Sequence, residues 1–193
     1  MPVFPLNTVL YPGGPLPLRI FEARYVDMIG QCMRDASPFA VCAIAEGSET
    51  GDATFHEIGT LATVIDFQQM PDGLLGILVK GGQRVRIAEK ARESDGLNTA
   101  MIEPLPAEIP GSMPDEYADL VSLLRQLLEQ IPEEYYPTRE RRFEEAGWVS
   151  YRLAELLPLS LSQKQYFLET EDALRRLEII RPLLEAMQTP PQS

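Results

Sequence analysis

Eleven residues divide this chain. Pro104, Pro106, Pro110, Gly111 and Pro114 fall between positions 104 and 114. Neither a helix nor a strand ladder runs easily through so many residues that lack a backbone N–H or resist regular geometry. Before this stretch, apolar residues come in short runs and alternations. After it they recur every three or four positions. The pattern predicts strands with one helix over 1–103, a linker over 104–114 and a helical subdomain over 115–193. Charge divides at nearly the same place. Residues 1–100 hold 8 basic and 12 acidic side chains, and residues 101–193 hold 9 and 17.

Within the first part, Val3–Leu6 and Leu16–Ile20 read as short extended segments. The prolines around them suit sheet edges and turns better than central ladders. Phe21, Tyr25, Met28, Ile29, Cys32 and Met33 share a helical spacing, and Pro38 stops that helix near Asp35. Phe39–Ala45 is an apolar run of strand length. Ile58–Met70 and Leu74–Gly81 flank Pro71-Asp72-Gly73, a hairpin turn signal. Val85 and Ile87 alternate with Arg84, Arg86 and Glu89, and Asn98–Glu103 reads as a last strand. Turns at this spacing suggest a small closed or nearly closed barrel.

In the second part, Tyr117, Leu120, Val121, Leu124, Leu127 and Leu128 predict a helix over Asp115–Gln130. A second helix is expected over Arg139–Leu157. Ser160 and Gln163 have capping-box spacing for a third, through Glu169. The fourth carries Leu174, Leu177, Ile180, Leu184 and Met187.

Seventeen Lys and Arg against 29 Asp and Glu give a net charge of −12, which opposes indiscriminate binding to phosphate backbones. No apolar run is long enough to span a bilayer. The first residues lack a basic region and are broken by prolines, unlike a signal peptide. Cys32 and Cys42 have apolar neighbours and read as buried, reduced thiols of a cytoplasmic protein. The single histidine, His56, has threonine four residues on, not the second histidine of a zinc-protease helix. Neither a phosphate-binding Gly-x-x-x-x-Gly-Lys loop nor a Gly-x-Ser-x-Gly elbow occurs. These observations imply no metal, no cofactor and no catalytic residues. One segment is locally basic: Lys80, Arg84, Arg86, Lys90 and Arg92.

One ordered string stands out: Pro5-Leu6-Asn7, Tyr11-Pro12-Gly13, then Pro17-Leu18-Arg19-Ile20-Phe21-Glu22-x-Arg24-Tyr25-x-x-Met28. With Pro71-Asp72-Gly73, Gly81-x-x-Arg84-x-Arg86-Ile87, Trp148 and Leu156-Leu157-Pro158-Leu159-Ser160, it closely resembles the N-terminal domain of Lon proteases, of peptidase family S16. The resemblance covers nearly the whole chain. It implies an α+β architecture, a PUA-like β-barrel followed by an α-helical bundle. It also implies a role in recognising protein substrates. Lon proteases carry ATPase and Ser-Lys peptidase modules after this domain, and the chain ends at Ser193 without them. The expectation is a stand-alone, non-catalytic polypeptide-binding protein.

The expected partners are unfolded or extended polypeptides or a protein partner, with no membrane and with nucleic acid disfavoured. Tyr11, Pro12, Met70, Leu74, Tyr135 and Tyr136, apolar or aromatic and near loops, are the candidate contacts. Gly13, Arg19, Phe21, Glu22, Arg24, Tyr25, Gly81 and Arg84 form a structural signature. Phe21 and Tyr25 of this signature, with Met28 of the ordered string, are expected in the core. Glu22 is expected to pair with Arg24 or Arg84, and Gly13 and Gly14 to permit positive φ after Pro12. The alternative is an RNA-binding PUA-like protein, and a small-molecule enzyme is a third reading.

Overall fold

The computed structural model describes residues 1–49, 53–136 and 140–188. The chain divides into two compact units, Met1–Ala107 and Glu108–Ser193.

The first unit is a six-stranded sheet with one helix. In chain order its elements are β1 (Pro2–Leu6), β2 (Pro15–Ile20), α1 (Ala23–Asp35), β3 (Phe39–Gly47), β4 (Ala53–Gln69), β5 (Leu75–Arg92) and β6 (Asn98–Pro104). The spatial order is β2-β5-β4-β3-β1-β6, and β6 also pairs with β5. Strands β5, β4, β3, β1 and β6 therefore form a closed circuit of pairings, with β2 added outside it. All pairings are antiparallel except β1 with β3.

Two clusters explain why β3 is buried on both faces, as its continuous apolar run implies. Val3, Ala40, Cys42, Phe55, Val85, Ile87 and Ala100 draw on every strand of the circuit and form one. Phe4, Phe39, Val41, Ile77 and Val79 take the other faces of the same strands and meet Tyr25, Met28, Ile29 and Cys32 of α1. The Phe4 and Tyr25 rings stack at 4.0 Å.

Several expectations change. Strand β2 is at an edge, but β1 lies between β3 and β6. Met1 and Ala100 exchange both backbone bonds, so alternate residues from Met1 aim at β6. Pro5 thus directs its missing N–H past Val3, where pairing with β6 stops. Gly81 does not end a strand, because β5 runs unbroken from Leu75 to Arg92. Phe21 is 55% exposed rather than in the core. It precedes the first turn of α1 and does not share the helix's period. Met33 is also exposed, lying about 80° round the helix from Tyr25. Positive φ after Pro12 falls on Gly13 (71°) and not on Gly14.

The second unit holds a 3-10 turn, Asp115–Tyr117, then α2 (Ala118–Glu129), α3 (Ala146–Leu156), α4 (Leu161–Glu169) and α5 (Ala173–Gln188). Helix α3 packs against α2, α4 and α5. It starts at Ala146 because the backbone before it is extended against the linker. Met113 donates to Glu144, Ala146 donates to Gly111, and Ser112 bridges Glu145. Residue 139, where this helix was expected to begin, lies outside the described residues. The Ser160–Gln163 capping box is formed. On α5 the buried stripe is Ala173, Arg176, Leu177, Ile180 and Leu184, and Leu174 and Met187 are exposed.

Candidate functional site

The β4–β5 hairpin extends beyond the closed circuit. Strand β3 begins at Phe39, opposite Ala62, so past that point β4 is paired only with β5 among the described strands. Pro71, Asp72 and Gly73 make the turn. Gly73 takes φ 83° and donates to the Met70 carbonyl at 2.8 Å, and Met70 N–H donates to Leu74 at 2.8 Å.

That last bond sets the phase of the ladder. Met70, Gln68 and Asp66 face β5, so Phe67 and Gln69 aim their backbone groups away from it. A register shift between Val64 and Asp66 inserts Ile65 as an extra residue. Ile65 through Gln69 are all exposed. Phe67 lies opposite Ile77, which lies opposite Leu18. Cross-strand partners share a face, so the three form one row. The row is buried at Ile77 and 59% exposed at Phe67. Ile65 is 53% exposed. The result is an open strand edge about 17 Å long with two exposed apolar side chains, Ile65 and Phe67, along it.

Asp66 accepts from the outward N–H of Phe67 at 2.8 Å. At the turn, Asp72 pairs with Arg19 of β2 and accepts from Leu74 N–H at 3.2 Å. Met70 folds back over Gly76, where an added Cβ would lie 3.1 Å from its Cγ.

Within the first unit the candidate contacts do not form one surface. Met70 and Leu74 are half-buried in this hairpin. Tyr11 is fully buried, with its carbonyl packed against Gly81, so its ring is not on the surface. Half-buried Pro12 follows it. Tyr135 and Tyr136 belong to the second unit, where the Tyr136 hydroxyl donates to Glu155. Ile65 and Phe67 were missed because they sit inside a long apolar-polar strand. Only the end of β3, not the sequence of β4, shows which half of that strand is open.

Two residues of the structural signature, Glu22 and Arg24, come together at the start of α1. Glu22 pairs with Arg24 at 2.7 Å, and Arg24 donates to the Gly96 carbonyl at 2.6 Å. The start of α1 is thereby tied to the β5–β6 turn. Arg84 is 5% exposed and is not part of an open basic face. Lys90 donates to the Phe55 carbonyl at 2.9 Å and lies over the Phe55 ring. Burial thus takes Arg84, and a local bond takes Lys90, out of the basic segment, while Arg86 stays exposed.

Other chemistry is turned inward. Burial pushes the Cys42 thiol up to about 12 and raises Cys32, so neither supplies a thiolate near neutral pH. In the second unit, Glu155 meets Tyr136 and Arg152. Burial raises its carboxyl to about 8 against the pull of Lys164, whose ammonium donates to the Glu155 carbonyl at 2.8 Å. Among the described residues no group of three or more His, Cys, Asp or Glu could hold a metal ion. No helix among them is long and apolar enough to cross a membrane.

The family model described as the ATP-dependent protease La (LON) substrate-binding domain matches residues 1–186. Lon protease 2 of Myxococcus xanthus is 26% identical over 95% of the chain and 23% of its own length. Lon protease 1 of Bdellovibrio bacteriovorus is 30% identical over 97% of the chain and 25% of its own length. The chain thus spans about a quarter of the curated relatives it matches. A crystal structure of a Lon N-terminal domain protein from Xanthomonas campestris is 32% identical, with a TM-score of 0.77. It covers 94% of this chain and 96% of that one. The N-terminal domain of Mycobacterium avium complex Lon protease shares the fold at 18% identity and a TM-score of 0.64, over 93% and 95% of the two chains.

Proposed function

The chain belongs to the Lon substrate-binding domain family, and on that premise we propose that it is a polypeptide-binding module. Its clients are unfolded or extended segments, held by addition of a strand to the open edge of β4. In this reading the closed circuit of strands is a PUA-like barrel and the helices of the second unit form a bundle. The chain acts by binding in the cytoplasm, and no cleavage is assigned to it. One observation carries the reading: the five-residue run Ile65–Gln69 is exposed throughout and unpaired on one side among the described strands. Such an edge supplies backbone bonds to any sequence, and the adjoining apolar side chains supply affinity. Breadth of that kind suits a domain that must take many clients. The RNA-binding alternative needs a basic face, and buried Arg84 and tethered Lys90 leave little of one.

Titration with a permanently unfolded model protein tests the proposal. The wild-type chain should bind it at micromolar concentration. The double variant Ile65→Ser, Phe67→Ser should bind about tenfold more weakly or worse, with an unchanged circular dichroism spectrum. Both residues are more than half exposed, so their loss should not unfold the sheet. Equal binding by the variant would remove the β4 edge from the proposal. No binding by the wild type would end it.

A further inference from the structure

An open strand edge also invites pairing with a second copy of the same chain. This edge carries a device against that. The outward N–H of Phe67 is held by the Asp66 carboxylate at 2.8 Å. The bond is made by the residue immediately before, at the place where the register shift bends β4. We propose that Asp66 is the gatekeeper of the edge and sets which segments may join it. The inference rests on the polypeptide-binding reading and specifies the client.

A docking strand must offer its own carbonyl to Phe67 N–H and so displace the carboxylate. The freed carboxylate is exposed and leaves a negative charge beside the docked strand. An incoming Lys or Arg pairs with it, whereas a second copy aligned residue on residue would bring its own Asp66, a like charge. Successive side chains of a strand point to opposite faces. The client's apolar residue therefore lies beside Phe67, and its basic residue lies on the other face, beside Asp66. The preferred occupant is an extended segment that alternates apolar and basic residues. Acidic segments and self-pairing are rejected.

The probes are a nine-residue peptide of alternating valine and lysine and its valine–glutamate counterpart. Each is titrated by fluorescence anisotropy into the full chain and into Asp66→Ala. Asp66 is exposed, so the variant keeps the fold. The wild type should prefer the lysine peptide by about tenfold or more, and the variant should lose most of that preference. In sedimentation velocity the variant should form larger species at concentrations where the wild type does not. If the variant keeps both the wild-type preference and the wild-type sedimentation profile, the gatekeeper role is overturned and polypeptide binding survives. If the wild type binds neither peptide nor an unfolded protein, the polypeptide reading fails, and this inference fails with it.

Discussion

At residue scale, Arg176 shows how a charge can be buried in an acidic chain. It is fully buried, yet every nitrogen of its guanidinium is used. Nη2 donates to both carboxylate oxygens of Glu108, at 2.7 and 2.6 Å. Ser150 accepts from Nε at 3.0 Å, Thr170 accepts from Nη1 at 2.7 Å, and Tyr151 lies under the plane at 3.8 Å. A planar fork can do all this at once and an ammonium cannot. Arg176→Lys should therefore behave as a loss. Glu108→Ala, which leaves the buried cation unpaired, should cost about 3–5 kcal/mol. Chemical denaturation of the full chain measures both, and a change below about 1 kcal/mol for Glu108→Ala would contradict the account. Cys42 offers a pH test. Its thiol ionises near 9 when unfolded and near 12 when folded. The folded state then holds a proton that the unfolded chain releases. The stability from this group is present below pH 9 and is lost as pH rises from 9 toward 12. Cys42→Ala should flatten that alkaline decline. Thiol labelling of the native protein at pH 8 should be slow, and rapid labelling of Cys42 would count against it.

At element scale the informative feature is the long strand β5. It pairs with β2 and β4 in its first half and with β4 and β6 in its second. Gly81 sits at the changeover, bonded to Gly13 at 2.7 Å and to Gly14 at 2.8 Å. An added Cβ would fall far inside the contact distance of the Tyr11 carbonyl oxygen and 2.9 Å from its carbon. Both are backbone atoms that cannot swing away. Gly81→Ala should cost on the order of 3 kcal/mol, whereas Gly82→Ala, with no backbone or side-chain atom nearer than 3.5 Å, should cost far less. Equal thermal shifts for the two would refute the close approach. The pair Gly81-Gly82 was visible in the sequence, but reads there as a strand end. What distinguishes the two glycines is a loop 70 residues earlier, and local pattern carries no such information. The same limit applies to α1, where the period identified Tyr25, Met28, Ile29 and Cys32. It misplaced Phe21 because only the tie from Glu22 and Arg24 to Gly96 fixes where the helix begins. Local patterns were legible: the Ser160 capping box, the Pro71-Asp72-Gly73 turn and the apolar run of β3. The open edge of β4 was not, since it is defined by where a neighbour stops.

At the scale of the whole molecule, charge acts at a distance and the edge acts by contact, and the two can be separated. A net charge of −12 attracts positively charged chains before any strand is in register, which raises the association rate. Once a segment is docked, backbone bonds to β4 and the apolar row ending at Phe67 govern how long it stays. A basic unfolded client should therefore associate about tenfold faster than an acidic one of equal length at low salt. The difference should nearly vanish near 1 M salt, where the screening length is about 3 Å. Asp66→Ala removes one negative charge of the twelve in excess, so it should leave the association rate of the basic client almost unchanged while shifting its dissociation rate. Ile65→Ser with Phe67→Ser changes no charge and should also act on dissociation alone. Stopped-flow mixing at several salt concentrations reads these rates directly. Association rates that ignore client charge at low salt would show that the molecule's field has no part in capture, and the edge would then have to account for all selectivity.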